Sequence, residues 1–114
     1  MDTGLMKKLS EACGVSGFET EVRNLIKKEI SKYADKISED NLGNLIVLKK
    51  GSSKNRKKIA LVAHMDEIGL IVKRINNGFI EFSKIGGIDD RILLTQRVAI
   101  NGTNLEGIIN SKPI

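Results

Sequence analysis

Ile59-Ala60-Leu61-Val62-Ala63-His64-Met65-Asp66-Glu67-Ile68-Gly69 is the stretch that decides how this chain is read. Five apolar residues without a turn former predict a buried strand over 59–63. An imidazole and two carboxylates then emerge at its end, where α/β proteins tend to place catalytic and ligand-binding residues. Side chains alternate along a strand, so His64 and Asp66 fall on one face, and the carboxylate can fix the imidazole while the other ring nitrogen binds a metal. His-x-Asp is therefore a candidate fragment of a metal site. His64 is the only histidine, and a catalytic zinc takes about three protein ligands plus a water. The remaining ligands would have to come from carboxylates, another chain or sequence elsewhere. The competing reading is a hydrogen-bonded structural histidine at a strand end.

Composition bounds the alternatives. With 114 residues, 40% hydrophobic and 29% charged, the chain has the balance of one globular domain rather than a disordered segment. Its core is expected to be aliphatic, because there is no Trp, one Tyr and three Phe. The single cysteine, Cys13, excludes an internal disulfide, and no apolar stretch is long enough for a membrane span or a signal peptide. A soluble cytoplasmic protein without a membrane partner is the expectation. The net charge of +5 is concentrated in Lys49-Lys50-Gly51-Ser52-Ser53-Lys54-Asn55-Arg56-Lys57-Lys58. That run has no aromatic residue for base stacking and lies between two apolar stretches, so it reads as a solvated hairpin loop and not a nucleic-acid contact. Asn101-Gly102-Thr103 reads as a turn.

Leu5, Met6, Leu9, Ala12 and Cys13 share one face of a short first helix, which Gly14 is expected to end. Ser16 with Glu19 three residues on has the spacing of a capping box, leading into Val22, Leu25, Ile26 and Ile30 on a second amphipathic helix. From about Lys36 the pattern changes to that of strands. Residues 37–40 and 44–48 flank the turn Asn41-Leu42-Gly43, and Asn76-Asn77-Gly78 between 70–75 and 79–82 is a strong hairpin signal. Short strands over 98–101 and 105–109 follow, without a helical stretch. Two structural units meeting near Glu67 are expected.

These motifs, in this order, carry a resemblance: Leu9-Ser10-Glu11-Ala12 with Gly14-Val15-Ser16-Gly17-Phe18-Glu19, Asp40-Asn41-Leu42-Gly43-Asn44-Leu45, Ala63-His64-Met65-Asp66-Glu67-Ile68-Gly69, Ile85-Gly86-Gly87-Ile88-Asp89, Gln96-Arg97-Val98, and Gly107-Ile108-Ile109 before Ser111-Lys112-Pro113. The chain resembles the N-terminal part of the glutamyl aminopeptidase or tetrahedral (TET-type) dinuclear metallo-aminopeptidase family, which also carries the label cellulase or endoglucanase M. A glycosidase needs a positioned pair of carboxylates, and nothing here singles one out.

The resemblance implies an α/β fold. Residues 1–67 would be the N-terminal part of a zinc-peptidase-like α/β catalytic domain, and residues 68–114 the first part of an inserted β-barrel (PDZ-like) dimerisation domain, both incomplete. By the same resemblance His64 is a metal ligand and Asp66 the catalytic-site carboxylate that orients it, while Glu67 stands at the domain junction without an assigned role. Complete members are expected to use two divalent metal ions, zinc or cobalt, to hydrolyse the N-terminal residue from a peptide substrate. They are expected to form homo-oligomers, dimer-based and up to a dodecamer. The bridging aspartate, the general-base glutamate and the other ligands lie downstream in the family pattern, so the isolated chain is expected to be truncated and inactive. The alternatives are a non-catalytic assembly or strand-pairing fragment, or one half of a split aminopeptidase. Thr95 and Asp90 depart from the family pattern, which shows small residues or proline there.

Overall fold

The computed structural model describes residues 3–111, so Lys112 to Ile114 of the C-terminal motif lie outside the described residues. Contacts divide the chain into two compact units, one up to Asp66 and one from Glu67 onward.

The first unit begins with α1 (Thr3–Glu11) and α2 (Thr20–Ile30), followed by a single 3-10 turn, Ser31–Tyr33. On α2 the apolar positions bury as the periodicity predicts: Val22 is 5% exposed, and Leu25, Ile26 and Ile30 are half-buried. The helices then give way to an antiparallel pair, β1 (Lys36–Glu39) and β2 (Leu45–Leu48), in the register Lys36↔Leu48 to Glu39↔Leu45. Asp40 organises the connection. Its carboxylate accepts from the main-chain N–H of Leu42 and Asn44 and from the Asn44 amide, while Gly43 takes the left-handed φ of +85°. Glu39 at the end of β1 ties the hairpin to α2, accepting from Lys27 at 2.8 Å and lying 3.3 Å from Arg23 Nε as an ion pair without hydrogen-bond alignment.

The second unit holds β3 (Gly69–Asn76) paired antiparallel with β4 (Phe79–Ile85), a short helix α3 (Asp90–Leu93), and β5 (Arg97–Ala99) paired antiparallel with β6 (Glu106–Ile108). Asn77 and Gly78 carry φ of +48° and +81°, the two positive angles that the tight hairpin turn demands. A bulge at Lys73 separates the Val72↔Phe82 and Arg74↔Glu81 pairs. Across the second of these, Arg74 forms a two-pronged ion pair with Glu81 at 2.8 and 3.0 Å. The Asn101-Gly102 turn forms as read, with Gly102 at φ +77° and the Thr103 N–H bonded to the Ile100 carbonyl.

Mixed helices and strands agree with an α/β fragment, yet four readings are corrected. The buried strand expected over 59–63 is not a strand: Ile59, Leu61 and Val62 are 84%, 96% and 93% exposed, and no residue of the run pairs with a neighbour among the described residues. A strand exists only through its hydrogen-bonded partners, and the apolar pattern cannot provide them. For the same reason the basic run 49–58 is exposed but closes no hairpin with 59–63, since β2 pairs back onto β1. The first helix stops at Glu11, three residues before Gly14, and leaves Cys13 half-buried beyond its end. Finally, α3 interrupts the region expected to be strands and turns alone. Asp89 starts it by accepting from the Arg91 N–H at 2.9 Å.

Little of the apolar surface is covered. Val22 and Ile109 are the buried hydrophobic residues among those described. The chain exposes 10151 Å², against about 7,400 Å² for two separate compact bodies of half its mass. Residues 59–62 contribute to that excess directly.

Candidate functional site

The first unit brings His64 and Asp66 together although no strand carries them. Residues two apart in an extended chain share a side, and that local geometry needs no partner strand. His64 Nδ1 lies 3.1 Å from Asp66 Oδ1 and 3.0 Å from the Asp66 main-chain oxygen. An ionised carboxylate and a carbonyl can only accept, so Nδ1 carries the hydrogen, and in the neutral ring Nε2 is the nitrogen with the lone pair. The imidazole is 86% exposed, which leaves that lone pair open to a ligand.

Asp66 is held from its other side. Its Oδ2 accepts the hydroxyl of Ser16, fifty residues earlier in the chain. This bond, foremost, keeps the Asp66 carboxyl below the ordinary aspartate range; partial burial opposes the shift and the contact with His64 adds to it.

Ser16 reaches the motif through a tight turn. The Phe18 N–H bonds to the Val15 carbonyl at 2.7 Å, and Gly17 adopts φ +89°, the left-handed angle of the third position in a type II turn. Gly14 lets this segment approach. A Cβ there would lie 2.8 Å from Val22 Cγ1 and 3.3 Å from the Met65 carbonyl oxygen, so only hydrogen fits between α2 and the main chain of the motif. Gly14 is thus a contact residue rather than a helix terminator.

Ser16 is the site residue that sequence reading misassigned. Its spacing to Glu19 looks like a capping box, yet α2 starts at Thr20, the Ser16 hydroxyl caps nothing, and the Glu19 carboxylate accepts from the Gly17 N–H at 2.6 Å. The pair Ser16-Gly17 was the available signal, because Ser-Gly marks a turn more readily than a helix start.

The donor set fits one corner of a metal site. His64 presents an exposed ring nitrogen without a bond of its own, but no group of three His, Cys, Asp or Glu side chains gathers among the described residues. A site of three or four protein ligands therefore requires donors from beyond them.

Residues 43–114 match the family described as M42 glutamyl aminopeptidase. The chain belongs to that family. This M42 chain is 47% identical over 95 residues to a putative aminopeptidase of Acetivibrio thermocellus, covering 82% of the chain and 28% of the relative. The TET aminopeptidase structure from the marine sediment archaeon Thaumarchaeota archaeon SCGC AB-539-E09 superposes with a TM-score of 0.86 at 41% identity, over 96% of the M42 chain and 31% of that protein. A dodecameric structure, PhTET1-12s, superposes with a TM-score of 0.80 at 39% identity, over 99% of the M42 chain and 35% of that protein. The M42 chain thus spans about a third of the length of the relatives it matches.

Proposed function

We propose that these residues are the His64-bearing part of a metal-dependent aminopeptidase, an enzyme that releases N-terminal residues from peptides. The carrying observation is the state of His64: Nδ1 is engaged by Asp66 and Nε2 is free and exposed, in a chain that belongs to the M42 family. His64 would be a metal ligand and Asp66 the carboxylate that orients it. A divalent ion, when bound, supplies Lewis acidity toward the peptide carbonyl, and histidine with carboxylates suits zinc or cobalt alike. In this reading 1–67 belong to the catalytic domain, and 68–114 open a β-rich, PDZ-like assembly domain. Two successive antiparallel pairs, β3–β4 and β5–β6, support the latter assignment. A homo-oligomer built from dimers is proposed by analogy with the dodecameric relative. A free Cys13 suits a reducing compartment such as the cytoplasm.

Activity would require donors that the described residues do not bring together. Titrating the chain with zinc or cobalt by calorimetry, beside His64→Ala, while assaying a chromogenic amino-acid amide, tests this. Weak binding at His64, lost in the variant, and no turnover are expected. Binding of two metals with turnover, both lost in His64→Ala, would overturn the inactivity of the isolated chain. Metal binding unaffected by the variant would overturn His64 as a ligand.

A second reading has its own observation. The bare apolar run 59–63 suits a strand-pairing fragment, or one half of a split aminopeptidase, whose partner adds strands beside it. Mixing the chain with a polypeptide carrying the rest of the family's length would then restore turnover, and restoration would depend on His64.

A further inference from the structure

We infer that Ser16 is a positioning residue for His64: its hydroxyl locks the Asp66 carboxylate in the orientation that holds the hydrogen on His64 Nδ1 and leaves Nε2 open. The inference deepens the reading of His64 as a ligand, but its test is made without metal and stands apart from that reading.

His64 has few restraints. The imidazole is 86% exposed, and its bonds run to a single residue, Asp66, through one carboxylate oxygen and the main-chain oxygen. Asp66 is itself 39% exposed at the side chain, so its carboxylate is free to turn toward water unless its other oxygen is held. Ser16 holds it, and Ser16 comes from a segment fifty residues away. That segment is itself fixed by the Val15 to Phe18 turn and by the close approach of Gly14 to the Met65 carbonyl. A hydroxyl donating to one carboxylate oxygen fixes the plane of the group and directs the second oxygen at Nδ1, as outer hydrogen bonds orient the ligands of metal sites. The Ser16 hydroxyl caps no helix, because α2 starts at Thr20, and it is left to donate to Asp66.

His64 is the only histidine of the chain, so long-range proton–nitrogen correlation of the metal-free protein reads its tautomer without assignment. The Nδ1–H form should dominate in the wild type. Ser16→Ala should lower the ratio of Nδ1–H to Nε2–H by at least about fivefold, as expected when a charge-assisted hydrogen bond stops orienting its partner. Ser16→Thr, which retains a hydroxyl, should restore it. Should Ser16→Ala unfold, Ser16→Cys decides, because it keeps the shape of serine, slightly enlarged, with a far weaker donor: it must fold yet lose the tautomer bias that Ser16→Thr keeps. An unchanged tautomer ratio in a folded Ser16→Ala or Ser16→Cys protein, or no Nδ1–H preference in the wild type, overturns the inference. Neither result bears on whether Nε2 binds zinc, which the calorimetric titration reads.

Discussion

Two apolar stretches a few residues apart behave in opposite ways. Residues 69–85 form the β3–β4 hairpin, with paired positions from Gly69↔Ile85 to Asn76↔Phe79, whereas 59–63, with an equally strand-like composition, stay unpaired and exposed. The difference lies in where the partner is. The hairpin closes through a turn of two residues, and Asn77-Gly78 supplies the positive φ angles that bring β4 back beside β3. The run 59–63 leads into His64 and Asp66, and no other segment of the described chain returns beside it. Strand composition is local, whereas strand formation is a property of pairs.

The largest effect expected from this contrast is on association. An exposed apolar run of this kind draws neighbours, so the purified chain should self-associate. Leu61→Lys combined with Val62→Lys should raise the dissociation constant by more than about a hundredfold, since each side chain forfeits roughly 1.5 kcal/mol or more of burial. Sedimentation across a concentration series measures this. A wild type that sediments as a clean monomer with one cooperative thermal transition would break the contrast, because 59–63 would then be at ease in water.

Next in size is the hairpin. Gly78 sits at φ +81° with open space where a Cβ would stand, so Gly78→Val strains the backbone without a clash. A loss of about 2 kcal/mol of local stability is expected. Amide exchange should quicken across β3 and β4 while β1 and β2 keep their protection. Equal loss in both pairs would mean that the hairpin does not stand on its own turn.

Much of this was legible because the determinants are short-range. The Asn77-Gly78 and Asn101-Gly102 turns, the loop before Gly43 and the apolar face of α2 all follow from residues within a few positions of one another. His64 beside Asp66 is legible for the same reason. Ser16 was not, because its partner lies fifty residues away and its neighbour Glu19 imitates a capping box. The failure at 59–63 has the same cause in reverse: the apolar run states a need for partners that the described residues do not meet. Thr95 lies between these cases, since its departure from the family pattern is visible in sequence but its consequence is not.

That consequence is a smaller effect. Thr95 takes φ +67°, an angle that β-branched residues avoid, while its N–H bonds to the Ile109 carbonyl at 2.9 Å beside the β5–β6 pair. Thr95→Gly should raise stability by about 0.5–1 kcal/mol, the relief of strain being partly offset by the greater freedom of glycine in the unfolded chain. Denaturant titration of the second unit reads the gain. A loss instead would mean that the threonine hydroxyl, donated to the Leu94 carbonyl, outweighs the strain.

The smallest effect separates the two hairpins by their turns. The β1–β2 connection depends on a charge: the Asn44 side chain, and after it the main-chain N–H of Asn44, hold the Asp40 carboxyl below the ordinary aspartate value of 3.8, and the N–H of Leu42 adds to them. A carboxyl with a lowered folded pKa contributes stability that is complete above the unfolded value and lost as pH falls through the folded one. Amide protection at Leu42 and Asn44 should therefore hold at neutral pH and decline only on acidification below 3.8. The turn at Asn77-Gly78 contains no carboxylate and should not follow that titration. Asp40→Asn should abolish the pH dependence in the first turn, since the amide oxygen can still accept but no longer titrates, and leave the second unchanged. If both turns lose protection together in acid, the titrating group is not Asp40 and the loop before Gly43 is held by backbone geometry, as the Asn77-Gly78 turn is.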